Sequence, residues 1–190
     1  GISSVSGVEF AKKLREQVVR FGGEIVSAEV SAITEVSDGF EVVADDEKLL
    51  VRSVILANGS RERCLGLPSE EKLIGRGVSY CATCDGAFYK DKNVAVIGGG
   101  NTALYDALYL ADIASKVYLV HRRNEFRGDE VLVERLRGKN NVEFVLGYVP
   151  EEILGDKKVS GTKLVPSGKV MDVKDEMEMD VDGVFVAVGK

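Results

Sequence analysis

Between residues 6 and 23 the apolar positions Val8, Ala11, Leu14, Val18 and Phe21 recur every three or four residues, the period of one helical face. Ser6 and Glu9 form an S-x-x-E cap before this stripe, and Gly22-Gly23 offer a left-handed exit after it. The pattern then becomes extended: "EIVSAEV" (24–30), "AITEV" (32–36), "FEVVAD" (40–45) and "LLVRSVILA" (49–57). Asp38-Gly39 and Asp45-Asp46 mark turns between these runs. The first sixty residues thus predict a helix followed by a small β meander.

"VILANGSRERCLGLP" (54–68) closes that region. Its apolar run predicts a strand entering Gly59, and the charged stretch over 60–67 predicts a connection. Beyond it, strands and helices alternate, the pattern of a parallel sheet with crossovers. Strands are expected at 93–98, 116–121 and 142–147, with helices at 101–113 and 129–137. A second meander follows, turning near Gly155-Asp156 and Ser167-Gly168. The uniformly apolar "GVFVAVG" (183–189) predicts a strand in the middle of a sheet. The fold class is α/β: a Rossmann-like parallel sheet with crossover helices and a β meander over 61–190, preceded by part of another domain over 1–60.

The 190 residues suffice for one domain plus a piece of a second. With 45% hydrophobic and 29% charged residues the composition is that of a globular protein, and a net charge of −6 offers no electrostatic footprint for nucleic acid. No apolar run approaches the roughly 20 residues that span a bilayer, and no signal peptide opens the chain. Three cysteines do not make a disulfide framework. A CxxC without an export signal reads as redox or metal chemistry in a reducing, cytoplasmic compartment, where the glycosylation triplet at Asn58 means nothing.

Gly98, Gly100 and Ala103 fit G-x-G-x-x-A, with Asn101 and Thr102 inside the window. The motif ends an apolar strand and opens a helix, as a dinucleotide loop must. The first glycine permits a tight turn, the second admits a pyrophosphate, and Ala103 keeps the helix against the sheet. Free amides at the helix N-terminus then face the anion. A plain strand-to-helix turn is the rival reading. In NAD sites an acid lies about 20 positions beyond the first glycine. Here, 23 positions on, the chain reads "HRRNEFR", placing His121, Arg122, Arg123 and Arg127 there. Guanidinium groups bind a 2′-phosphate that a carboxylate would repel, so the pattern predicts NADP(H). A solvated basic turn is the alternative, and His121 could equally cap backbone carbonyls.

Cys81-Ala82-Thr83-Cys84 sets two sulfurs within disulfide reach and lets one become a thiolate. Zinc would need three or four ligands, and Cys64 and His121 lack finger spacing, so no metal is expected. A structural disulfide is uncommon in cytosol. Redox exchange remains, with Asp85 placed to carry the proton as a thiolate leaves or re-forms. Cys64 has no partner in sequence.

In this order and spacing "CATCDG", "VAVIGGGNTA" and "HRRNEFR" resemble the low-molecular-weight, bacterial-type thioredoxin reductases, as do "GLPSEEKLIGRGVSY" and "VFVAVG". The resemblance spans essentially the whole chain. It implies an NADPH-binding domain carrying the dithiol, inserted into an FAD-binding domain, in a homodimeric flavoprotein that reduces thioredoxin. Hydride would pass from NADPH to FAD and on to the Cys81–Cys84 disulfide. Cys81 would attack the partner, Cys84 would face the flavin, and Asp85 would be the acid. The domains would rotate about residues 60–65 and 189–190. Two features depart from the pattern: no second G-x-G-x-x-G precedes residue 60 and no Gly-Asp motif follows Lys190, while Asn58 stands where the family has Thr. The chain is therefore expected to be a fragment of a longer reductase that binds NADP(H) but lacks flavin and turnover. The rival functions are the core of a peroxiredoxin-reducing flavoprotein and a non-catalytic, NADP-binding redox sensor.

Overall fold

In the computed structural model, which describes residues 4–170, 173 and 175–190, the chain divides into two compact units, Gly1–Asn58 and Gly59–Lys190. The first contains helix α1 (Gly7–Arg20) and an antiparallel meander of β1 (Val30–Val36), β2 (Gly39–Ala44) and β3 (Glu47–Val51). Ser6 caps α1 as its spacing predicts, its Oγ accepting from Glu9 N at 3.2 Å, and Gly22 takes a φ of 80° beyond the last turn. The amphipathic stripe exists, yet none of its residues is buried. Two predicted extended stretches differ: residues 24–29 and 52–57 form no strand, and Ile55 and Leu56 are largely exposed. Neither stretch pairs with a neighbouring strand among the described residues, and without such a ladder β propensity alone does not hold a strand.

The second unit is built on a parallel sheet ordered β4-β11-β5-β6-β7. Its strands are β4 (Val78–Ser79), β5 (Asn93–Gly98), β6 (Lys116–His121), β7 (Val142–Leu146) and β11 (Gly183–Ala187). The apolar last strand lies between β4 and β5, an interior place that satisfies both of its edges. Alternate residues of these strands enter two separate cores. Val94, Val96, Leu119 and Phe185 pack with helices α4 (Asn101–Ala111) and α5 (Glu130–Arg137). Ala95, Ile97, Val120 and Val184 pack on the opposite face against Ile153, Val159 and Leu164. Those three belong to an antiparallel sheet of β8 (Tyr148–Gly155), β9 (Val159–Pro166) and β10 (Met177–Met179). Each fully buried Val, Leu or Phe contributes roughly 1.5–3 kcal/mol, so this two-sided burial dominates the unit's stability.

α2 (Pro68–Leu73) begins on Pro68, whose fixed φ suits a first helical turn. Short α3 (Ala82–Asp85) and a 3₁₀ turn, Gly86–Tyr89, then carry the chain from β4 to β5. No helix is long and apolar enough to cross a membrane among the described residues.

Candidate active site

Both predicted motifs sit at the carboxyl edge of the same parallel sheet, where open α/β sheets hold their ligands. Cys81 follows edge strand β4 and caps α3; Gly98 ends β5; β11 runs between them. The two cysteines are joined as a disulfide with a Cα–Cα separation of 5.3 Å. Cys84 is exposed and Cys81 only partly so. Gly86 lets this turn close on α4: a Cβ there would stand 2.8 Å from the Tyr109 ring and 3.1 Å from Leu110. The dithiol therefore rests on the helix that starts at the glycine loop.

Asp85 is held by a residue that sequence reasoning passed over. Ser79, 5% exposed, donates its hydroxyl to Asp85 Oδ2 at 2.6 Å. The Ser79 Oγ in turn accepts from Cys81 N at 3.1 Å. One buried hydroxyl thus ties the carboxylate to the backbone of the first cysteine. Glu70 is a second such anchor. At 2% exposure its carboxylate accepts from Leu65 N and Gly66 N, both at 2.9 Å, and from the Tyr80 hydroxyl at 2.8 Å. Burial, then the neighbouring Cys64 and Glu70, push the Tyr80 phenol well above its ordinary range. Tyr80 immediately precedes Cys81, so this carboxylate fixes both the connection and the approach to the dithiol. Both Ser79 and Glu70 lie within the stretch 66–80 that resembles the family, but the residue types there assign neither of them a role.

At the glycine loop a cavity of about 550 Å³ is lined on one side by Gly99, Gly100, Thr102, His121, Arg122 and Arg127. Arg63, Cys64, Tyr148 and Gly189 are among the residues of its other walls. Gly98 and Ala103 lie beneath it: a Cβ on Gly98 would collide with the Ala187 carbonyl and come within 2.8 Å of the Ala103 methyl. Gly99 faces the His121 ring in the same intolerant way. Gly100 differs, since a Cβ there would meet no protein atom and would project into open space. No side chain caps α4. A strand end without steric cover, opening on an uncapped helix N-terminus, fits a dinucleotide pyrophosphate.

Arg122 and Arg127 are on the cavity wall, whereas Arg123 and Asn101 are not among its lining residues. His121 is 5% exposed, stacks on Phe126 and places Nε2 3.1 Å from the Glu125 carbonyl oxygen, so Nε2 carries the hydrogen. Burial lowers its pKa, and the three nearby arginines push the same way against the Glu125 bond. It therefore caps a carbonyl and also walls the cavity. Cys64 is an exposed free thiol in that wall. The segments expected as domain crossings lie together, Arg63 N donating to Gly189 O at 3.0 Å. A further hollow of about 810 Å³ lies along α1 and holds none of the predicted site residues. No cluster of His, Cys, Asp and Glu suited to a metal occurs among the described residues.

Residues 3–190 match the family described as pyridine nucleotide-disulphide oxidoreductase. The chain belongs to that family. It is 40% identical over 192 residues to a Pseudomonas fluorescens protein named glucosaminate ammonia-lyase, covering 99% of this chain and 58% of that one. To a Mycolicibacterium smegmatis thioredoxin reductase it is 40% identical over 185 residues, covering 97% of this chain and 58% of that one. The crystal structure of Lactococcus lactis thioredoxin reductase (FR conformation) superposes with a TM-score of 0.73 at 33% identity, over 100% of this chain and 61% of that one. The fold is thus thioredoxin reductase-like, and the chain spans about three-fifths of these relatives' length.

Proposed function

We propose that this chain is the NADPH-binding and dithiol-bearing part of a thioredoxin-disulfide reductase. The observation that carries the reading is the presence, on one sheet edge, of a Cys81–Cys84 disulfide and a glycine-loop cavity walled by Arg122 and Arg127. In the reduced state one sulfur attacks the disulfide of thioredoxin, forming a mixed disulfide and releasing one partner thiolate. The second sulfur then attacks the first, freeing the other partner thiolate and closing Cys81–Cys84 again. Asp85 supplies or accepts the proton at the departing sulfur, held for that task by Ser79.

Gly98, Gly100, Thr102 and Ala103 form or support the pyrophosphate cradle, and Arg122 and Arg127 receive the 2′-phosphate. FAD, when bound in the longer protein, relays electrons from the nicotinamide to the disulfide, which a hydride donor alone does poorly. In this reading the 190-residue chain is expected to bind NADP(H) without flavin or appreciable turnover. The reading includes a cytoplasmic homodimer for the intact protein.

Titration with NADPH and NADH tests the nucleotide half: tighter binding of the phosphorylated form is expected, and equal binding rejects it. Stoichiometric flavin in the purified chain would overturn the flavin-free expectation. For the intact protein, failure to oxidise NADPH in the presence of oxidised thioredoxin would remove the reductase reading.

A further inference from the structure

The loop that bears the arginines is fastened to the glycine loop by three successive backbone amides. Arg127 N and Gly128 N donate to Gly99 O at 2.8 and 3.2 Å, and Asp129 N donates to Asn101 Oδ1 at 2.7 Å. At its other end the Ser167 hydroxyl donates to Arg122 O at 2.7 Å. Beneath, Phe126 stacks on His121 and meets Phe144 edge-on. We propose that Asn101 is a specificity-positioning residue: by clamping Asp129 it fixes where Arg127 starts, and so sets the preference for a 2′-phosphorylated nucleotide.

This inference rests on the NADP(H) reading and assigns Asn101 a different task from the cofactor contact its motif position suggests. An arginine side chain has many rotamers, and its guanidinium selects a phosphate only when its backbone origin is fixed. The Arg127 amide is itself held by Gly99 O. The Asp129–Asn101 bond two residues on is the side-chain tether that keeps this end of the loop, and with it the Arg127 origin, from shifting. Asn101 suits the task because its oxygen can accept while its first-turn position keeps it beside the loop. Gly128 is the matching half. A Cβ there would stand 2.8 Å from Asn101 Oδ1 and 3.1 Å from Asn101 N, and would collide with the buried Leu104 side chain. Any larger residue must lift the loop off the glycine turn.

The test is nucleotide titration of the 190-residue chain, with NADPH and NADH run on wild type, Asn101→Ala and Gly128→Ala. The readout is the ratio of the NADH to the NADPH dissociation constant. In each variant that ratio is expected to fall about tenfold, the equivalent of one charge-assisted bond. A residue that touched the pyrophosphate, or merely supported the fold, would weaken both nucleotides together and leave the ratio unchanged; that result overturns the proposal. Because the two substitutions disturb the clamp from opposite sides, misfolding of one leaves the other decisive. A wild-type ratio near one would instead reject the NADP(H) reading itself, and the inference with it.

Discussion

The Ser79 hydroxyl donates to the Asp85 carboxylate at 2.6 Å, while the backbone amide of Cys81 donates to that same hydroxyl. Proton carrier and dithiol are thereby held by one buried atom. Replacing Asp85 by Asn should slow reaction of the reduced chain with a small disulfide by about 100-fold, a typical loss for a positioned acid–base group. Ser79→Ala leaves the carboxylate in place but unheld, and a loss of roughly tenfold is expected. Stopped-flow rates measured across pH check both values. A Ser79→Ala variant that reacts at the wild-type rate would separate the hydroxyl from the chemistry.

The resemblance gives Cys81 the attack on thioredoxin, whereas Cys84 is the more exposed residue of the pair here. Trapping distinguishes the two. A thioredoxin keeping only its attacking cysteine, activated as the thionitrobenzoate, can form one stable disulfide and release one coloured thiolate. Cys84→Ser should release that colour and give a reducible one-to-one adduct, while Cys81→Ser should give little. The opposite order would exchange the roles of the two sulfurs.

Two alanine substitutions at the glycine loop should fail in different ways. At Gly98 the added methyl meets the Ala187 backbone and Ala103, so overpacking of about 1–3 kcal/mol should lower the unfolding midpoint. At Gly100 the methyl meets no protein atom, so stability should hold while NADPH affinity falls. Denaturant melts and nucleotide titrations on the same two proteins provide the comparison.

How much of this was legible depends on whether the cause is local. Strands β5, β6, β7 and β11 declared themselves as largely apolar runs bounded by turn residues, whereas the two-residue β4 left no such signal, and α1 showed its Ser6 cap. Residues 24–29 and 52–57 misled, since their apolar runs propose strands that no neighbour pairs. The glycine loop and Arg122 to Arg127 are contiguous and carry their chemistry in their spacing. The contacts of Ser79 with Asp85, Glu70 with Tyr80, and Asn101 with Asp129 leave no such trace. Each joins residues brought together by the turn or sheet around them, and serine, glutamate and asparagine are ordinary wherever they occur in sequence.

Asp106 supplies a prediction in pH. It lies on α4, and burial first, then the negative charge of Glu62, push its carboxyl up to about 6. Glu62 also pairs with Lys190 at 3.1 Å, which moderates that charge. A raised native pKa means the folded chain holds this proton more tightly than the unfolded chain does. The contribution is therefore complete below the ordinary carboxylate range and is lost as pH climbs through about 6. A displacement of this size corresponds to at most about 3 kcal/mol, and solvent screening at a half-buried group reduces it to about 1 kcal/mol. Asp106→Asn is neutral throughout and escapes the penalty. Denaturant unfolding of the two proteins should coincide near pH 4 and separate by about 1 kcal/mol near pH 7, with the variant the more stable. A variant that is less stable at neutral pH would mean that the ionised carboxylate is held by favourable contacts, not strained by burial.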